Sequence, residues 1–309
     1  MDNIEYVVNN SKNVKINLEM ISSIVDKFDN HYHYVHWSSY DKYFVTMSEK
    51  ELILFSFILE SLNFCFWPNY DWKVKYNDKE YLGSDALLFV LLKAVKNKKI
   101  ELNIESLYNL TKNDFLSFMK QNSTYPVLLD ERFESLKETI NVIYHNKNFW
   151  NELFSLKTDI DLEQYIINNF SNYKDSSFYH KKEIIFNKRC RLLIGDLFYV
   201  SRTIHKNISN ISQIKGCADY SLPRFFREIN LINYSDKLIE IIDNGIELEH
   251  GCDFEIEIRA TTLYLLEVIK KELKKRKIIL NSLELDNILW CMSRKNRITK
   301  PHHTISIYY

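Results

Sequence analysis

The chain has 309 residues, enough to bury a full core as one large domain or two small ones without disulfide or metal staples. Lys plus Arg and Asp plus Glu both number 41, so no global positive field draws in a nucleic-acid backbone, and no stable nucleic-acid partner is expected. Twenty Tyr and 19 Phe against 5 Gly and 4 Pro point to long helices, short loops and aromatic side chains able to line a concave site.

The five cysteines, Cys65, Cys190, Cys217, Cys252 and Cys291, are odd in number and widely spaced. That pattern favours free thiols in a reducing compartment, and there is no CxxC pair to suggest structural zinc. The opening MDNIEYVVNNSKNVKIN has acids and no apolar stretch, so no signal peptide is expected. The most apolar run, ALLFVLL at 86–92, is too short to cross a bilayer. A cytoplasmic protein with no membrane partner follows as the expectation.

In chain order, HYHYVHW gathers His31, His33 and His36. With no acid or Cys nearby in sequence, a solvated or aromatic-packed segment is preferred to a metal site. YFVT at 43–46 reads as a strand, and Ser48-Glu-Lys-Glu51 as a capping box opening a helix over 48–63. LNFCFWP at 62–68 reads in two ways: a helix end packed into the core, or a stacking platform with Asn63 on the edge of a flat ligand. WKVKY at 72–76 and EIIF at 183–186 read as strands. The run after Ser84, ALLFVLLKAVK, reads as a buried helix, and Asp161 heads a further helix in DLEQYIINNF.

KRCRLLIGDLFYVSR sets Asp196 mid-helix among apolar residues, where a carboxylate is costly unless it meets a basic neighbour or a ligand. In GCADYSLPRFFREI, Pro223 at the first helical position makes Ser221 or Leu222 the cap, which leaves Asp219 upstream in the loop. Ser235 opens SDKLIEIIDNG, closed by Gly245 in a left-handed cap. The longest helix lies in FEIEIRATTLYLLEVIKKELKK, where Glu255 and Arg259 form a surface pair and Glu257 points elsewhere. Pro301-His302-His303 reads as an exposed end. The architecture expected is a mainly α single domain over 1–309 with a few short strands, with room for two lobes around a cleft.

Taken together these segments resemble the queuosine salvage family of queuosine 5'-phosphate N-glycosylases. LNFCFW, LLDERFESLKET at 128–139, FNKRCRLLIGDLF, CADYSLPRFF, EIEIRATTLYLLEVI and PHHTISIYY are each similar to a family segment, and they follow in family order. Ser221 stands where the family commonly has Arg, Arg224 where it has Gln and Gly195 where it has Ala. Those departures bear on the phosphate contacts.

The resemblance implies a helical fold similar to helical DNA glycosylases, and hydrolysis of queuosine 5'-monophosphate to queuine and ribose 5-phosphate. On that reading no metal or organic cofactor is needed, because one carboxylate can both stabilise the sugar cation and activate water. Bond cleavage builds positive charge on the sugar, so a carboxylate beside the anomeric carbon stabilises it and takes a proton from water; the resemblance makes Asp219 that residue. For the base it implies Asp196, Asn63, Phe64, Trp67 and Tyr220, and for the phosphate Lys188, Arg189, Arg224 or His303. A glycosidase for another modified nucleotide and a non-catalytic nucleotide- or tRNA-binding module stay as alternatives.

Overall fold

Helices start where a side chain can accept the N–H groups that the first turn leaves without intrahelical partners. The computed structural model describes residues 3–28, 34–68, 71–294 and 298–309, so the His31 and His33 half of the histidine run lies outside the described residues. Ser48 caps helix Glu49–Leu62 with the full reciprocal box to Glu51, as its sequence predicts. The Ser235 hydroxyl caps Asp236–Asp243 by accepting from the Leu238 N–H, and Gly245 follows at φ +70°.

Two starts differ from expectation. Helix Asp159–Asn169 begins before Asp161 because the Thr158 hydroxyl already accepts from the Asp161 N–H. Helix Ser221–Glu228 begins with Pro223 at its third position, where the missing N–H would have had no partner anyway.

Among the described residues there are fifteen α-helices and three two-stranded antiparallel sheets, so the protein is mainly α. WKVKY and EIIF supply strands Lys73–Tyr76 and Lys182–Ile185, paired with Lys79–Leu82 and Ser176–Tyr179. YFVT does not: Asp41 accepts from the Tyr43 N–H and winds Lys42–Thr46 into a 3-10 helix with Phe44 buried. No helix of the described residues is long and apolar enough to cross a membrane.

The chain forms two compact units. The first comprises Met1–Val35, Asp175–Arg191 and Ile211–Ile305. Its core is built on helix Asp253–Lys275, whose Ile256, Ala260, Leu263 and Leu266 are buried against Asn3–Asn10, Ser221–Glu228 and Ser282–Ser293. The second comprises His36–Lys174, Leu192–Asn210 and Ser306–Tyr309. There Glu49–Leu62, buried from Ile53 onward, packs on Gly83–Lys96 and Leu129–His145.

Helix Asp253–Lys275 also buries polar residues, and each must be matched. Glu257 accepts from the Ser11 hydroxyl and the Asn13 N–H at 2.8 Å each, from the Lys12 N–H at 3.3 Å and from the Tyr179 hydroxyl at 2.9 Å. Four donors converge on one carboxylate, so Glu257 braces the N-terminal turn. Glu257→Gln, which turns an NH2 group toward those donors, is expected to cost about 2 kcal/mol in urea unfolding.

Candidate active site

In the first unit, Asp219 sits half-buried in the loop before helix Ser221–Glu228. Its Oδ1 accepts from the Ser221 N–H at 2.7 Å, so it satisfies the first N–H of that helix although Tyr220 occupies the capping position. One oxygen is thus fixed by the backbone. Tyr220, beside it, is half-buried.

A second carboxyl lies close by. Asp286, on helix Ser282–Ser293, is 9% exposed and accepts from the Cys217 N–H at 3.4 Å. Burial pushes this carboxyl well above the usual range, and the charge of Asp219 pushes it further, against the weaker pull of Lys188 and Arg191. A proton-holding carboxyl beside a carboxylate is the arrangement by which paired acids divide donor and acceptor roles. Burial, and then the charge of Asp286, also raises the Cys217 thiol.

Gly216 allows this approach. A Cβ there would stand 2.6 Å from Leu266 Cδ1 and 3.2 Å from the Ser282 carbonyl, and the Gly216 carbonyl accepts from Arg191 Nη1 at 3.1 Å.

Arg259 secures the backbone on the other side of Asp219. Its Nε donates to the Ala218 carbonyl at 3.1 Å, and Nη1 reaches Glu255 at 3.1 Å and Asp175 at 3.2 Å. Glu255 and Arg259 are fully buried, not the surface pair their spacing suggests. Although burial raises the Asp175 carboxyl, the Arg259 charge outweighs it and holds the group at about 2.

The basic residues expected at a phosphate differ in how they are used. Arg224 is tied to Glu228 at 2.8 Å and to the Ser293 carbonyl, and Arg189 is buried. Lys188, also buried, opens helix Lys188–Val200 and acts electrostatically on Asp286. His303 is half-buried and His302 buried, which corrects the exposed end expected for the tail. Burial, reinforced by the Arg259 charge, holds His302 down at about 3.

In the second unit, Asp196 is 6% exposed and its Oδ1 lies 3.1 Å from His36 Nε2. His36 Nδ1 accepts from the Ser38 N–H at 3.2 Å, so the neutral ring carries its proton on Nε2 and donates it to Asp196. Burial drives both groups toward neutrality, lowering His36 to about 3 and raising Asp196 well above the carboxylate range. The Trp37 indole N–H offsets the rise of Asp196 only partly and makes no hydrogen bond of normal geometry. Asp196 Oδ2 is buried with no hydrogen-bond partner. Among the described residues no group of three or more His, Cys, Asp or Glu is arranged to hold a metal ion.

The LNFCFW segment is held by Arg132, whose guanidinium donates to the carbonyls of Leu62, Phe64, Cys65 and Val127. Asn63 gives its Nδ2 to both oxygens of Glu60 and leaves Oδ1 buried without a hydrogen-bond partner. Phe64 is fully buried with the Arg132 guanidinium 4.5 Å from its ring centroid, so it offers no open face for stacking. Trp67 is nearly as enclosed. The segment's core-packed reading therefore describes Phe64.

Reading residues one segment at a time misses Asp286, Arg132 and Gly216. Asp286 carries the same signal that singles out Asp196, an acid inside an apolar helix, here LELDNILW.

The fold is mainly α, and in its first unit the charge of half-buried Asp219 acts on the buried, raised Asp286 carboxyl. Residues 43–309 match the family model described as queuosine salvage protein, and the chain belongs to that family. Three relatives are named queuosine 5'-phosphate N-glycosylase/hydrolase. The one from Dictyostelium discoideum is 26% identical, covering 97% of this chain and 95% of its own. The one from Sphaerobacter thermophilus is 25% identical, covering 89% and 84%. The one from Bos taurus is 29% identical, covering 82% and 80%.

A carboxyl whose folded value is raised holds its proton in the folded state after the unfolded chain has released it. Such a group costs stability as pH rises from its unfolded value through its folded one. Asp286→Asn removes that dependence. Urea midpoints measured from about pH 4 to about pH 8 are expected to rise for the variant relative to the parent as pH increases.

Proposed function

We propose that the protein hydrolyses the N-glycosidic bond of queuosine 5'-monophosphate, with Asp219 as the carboxylate at the sugar. The observation carrying this reading is the Asp219–Asp286 pair: one carboxylate half-exposed and fixed through a single oxygen, the other buried and biased to keep its proton.

The bond from the base nitrogen to C1′ breaks, and its electron pair leaves with the base. The sugar gains oxocarbenium character, which the Asp219 charge stabilises. Water adds its oxygen to C1′ and gives a proton to Asp219, which releases it to solvent, while the departing nitrogen takes a proton from solvent, so the products are queuine and ribose 5-phosphate. A 7-deazapurine has carbon where a purine has N7, so the usual site for protonating the leaving base is absent. The base must instead be held through its other polar edges, and Asp286 supplies a neutral donor in the unit that carries Asp219.

Asp196, Asn63, Trp67 and Tyr220 are base contacts that the family resemblance implies; Phe64, which it also implies, is buried against Arg132 and supports the segment from behind. Of the basic residues, Lys188 and His303 are the better phosphate partners, since Arg224 is committed to Glu228 and Arg189 is sealed in the core. A small nucleotide suits a neutral chain better than a long polyanion does.

Purified protein with queuosine 5'-monophosphate under metal chelation is expected to release free queuine, detected by chromatography. Asp219→Asn is expected to lower kcat by about 100- to 1,000-fold, the range for losing one electrostatic group at a developing charge. Nucleotide bound by the parent without any release would sink the hydrolase reading and leave a binding module.

A further inference from the structure

We propose that Arg259 is the positioning residue of the reaction: it fixes the Ala218 carbonyl and so aims the Asp219 carboxylate. The inference rests on the reading of Asp219 given above. Ala218 is 1% exposed, so its carbonyl needs a donor from within the protein, and Arg259 Nε supplies one at 3.1 Å. One residue further on, Asp219 is held through its side chain by the Ser221 N–H at 2.7 Å. The carboxylate is therefore clamped on both sides, by a guanidinium before it and a helix start after it.

The clamp is rigid because the guanidinium has no freedom left. Nη2 is 2.5 Å from Asp175 Oδ2, Nη1 bridges Asp175 and Glu255, and the Phe186 ring centroid lies 3.9 Å from the guanidinium carbon. His250, 3.9 Å from Asp175, and His302, which feels the Arg259 charge, complete the titratable surroundings.

Asp175 carries the same restraint further. Its N–H donates to Asn187 Oδ1 at 3.0 Å and its carbonyl accepts from the Asn187 N–H at 3.1 Å. Asn187, at φ +47°, directly precedes Lys188. One guanidinium thus sets both the loop bearing Asp219 and the helix start bearing Lys188.

A merely structural ion pair would change stability and nothing else. Glu257, on the same helix and equally buried, serves as the control because its bonds reach Ser11, Lys12, Asn13 and Tyr179 and not the Ala218 backbone. Steady-state kinetics with queuosine 5'-monophosphate would be measured for Arg259→Lys, Glu257→Gln and Asp219→Asn, with rates scaled to the folded fraction. Lysine keeps the charge but lacks the planar Nε–H. Arg259→Lys is expected to lower kcat by about 10- to 100-fold with KM within about threefold, as for a reacting group displaced by about an ångström. Glu257→Gln is expected to keep kcat.

An Arg259→Lys rate equal to the parent, or no lower than that of Glu257→Gln, overturns the positioning role and leaves Asp219 untouched. Full turnover by Asp219→Asn overturns both assignments. If Arg259→Lys does not fold, Glu255→Gln loosens Nη1 while keeping the shape and the Ala218 bond. With the guanidinium less firmly held, the Ala218 carbonyl it carries is freed to shift, so kcat is expected to fall by about three- to tenfold at constant KM; an unchanged kcat overturns the claim that the guanidinium's anchoring aims Asp219.

Discussion

Arg259 has five N–H donors in one plane, and the irregular backbone around Asp219 depends on where they point. A helix satisfies its own amides, but the loop that carries Asp219 has no such ladder, so its buried carbonyl must find a donor elsewhere. Guanidinium suits the task because it is weakly hydrated and presents several donors in a fixed fork. Burying the charge is tolerable only with compensation, and Asp175 and Glu255 provide it. The second unit uses the same device, with Arg132 gathering the carbonyls of Leu62, Phe64, Cys65 and Val127.

Environment, not residue type, separates the carboxyls. Asp219 keeps solvent contact and one backbone hydrogen bond, whereas Asp286 is drawn into the helix packing, where burial and a neighbouring charge both favour the proton. Asp196 reaches a similar state by a different route. Its partner His36 is also driven neutral, and because Nδ1 is used by Ser38, the ring presents a donor to one carboxyl oxygen. The second oxygen is left for a proton of its own. Burial thus raises Asp196 and Asp286 alike, with different neighbours around each.

Much of this was legible in local sequence, and what was not shares one cause. The Ser48–Glu51 capping box, the buried run after Ser84 and the mid-helix setting of Asp196 depend on residues within a few positions of each other. Arg132 gave no such signal, since the carbonyls of Leu62, Phe64 and Cys65 lie 67 to 70 positions away in the chain. Glu257 meets Ser11 across 246 positions, and Gly216 needs its missing Cβ only because Leu266 and Ser282 fold against it. YFVT misled for the opposite reason, since a single aspartate just before it overrode four strand-forming side chains. Asp286 was within reach, because the test that isolated Asp196 applies to it unchanged.

The EIEIR segment shows how helical geometry turns such contacts into separate functions. Successive residues on a helix turn by about 100°, so a spacing of two places Glu257 on roughly the opposite side from Glu255 and Arg259, which lie within about 40° of each other. Glu255 therefore pairs with Arg259, which also bonds Asp175 and the Ala218 carbonyl beside Asp219, while Glu257 reaches the turn at residues 11–13. A helix exposed on one side would have offered only one of these faces to the protein. Because Asp253–Lys275 is enclosed over this stretch, both faces must be satisfied, and the same run of five residues secures the N-terminal turn and holds the Ala218 carbonyl beside Asp219.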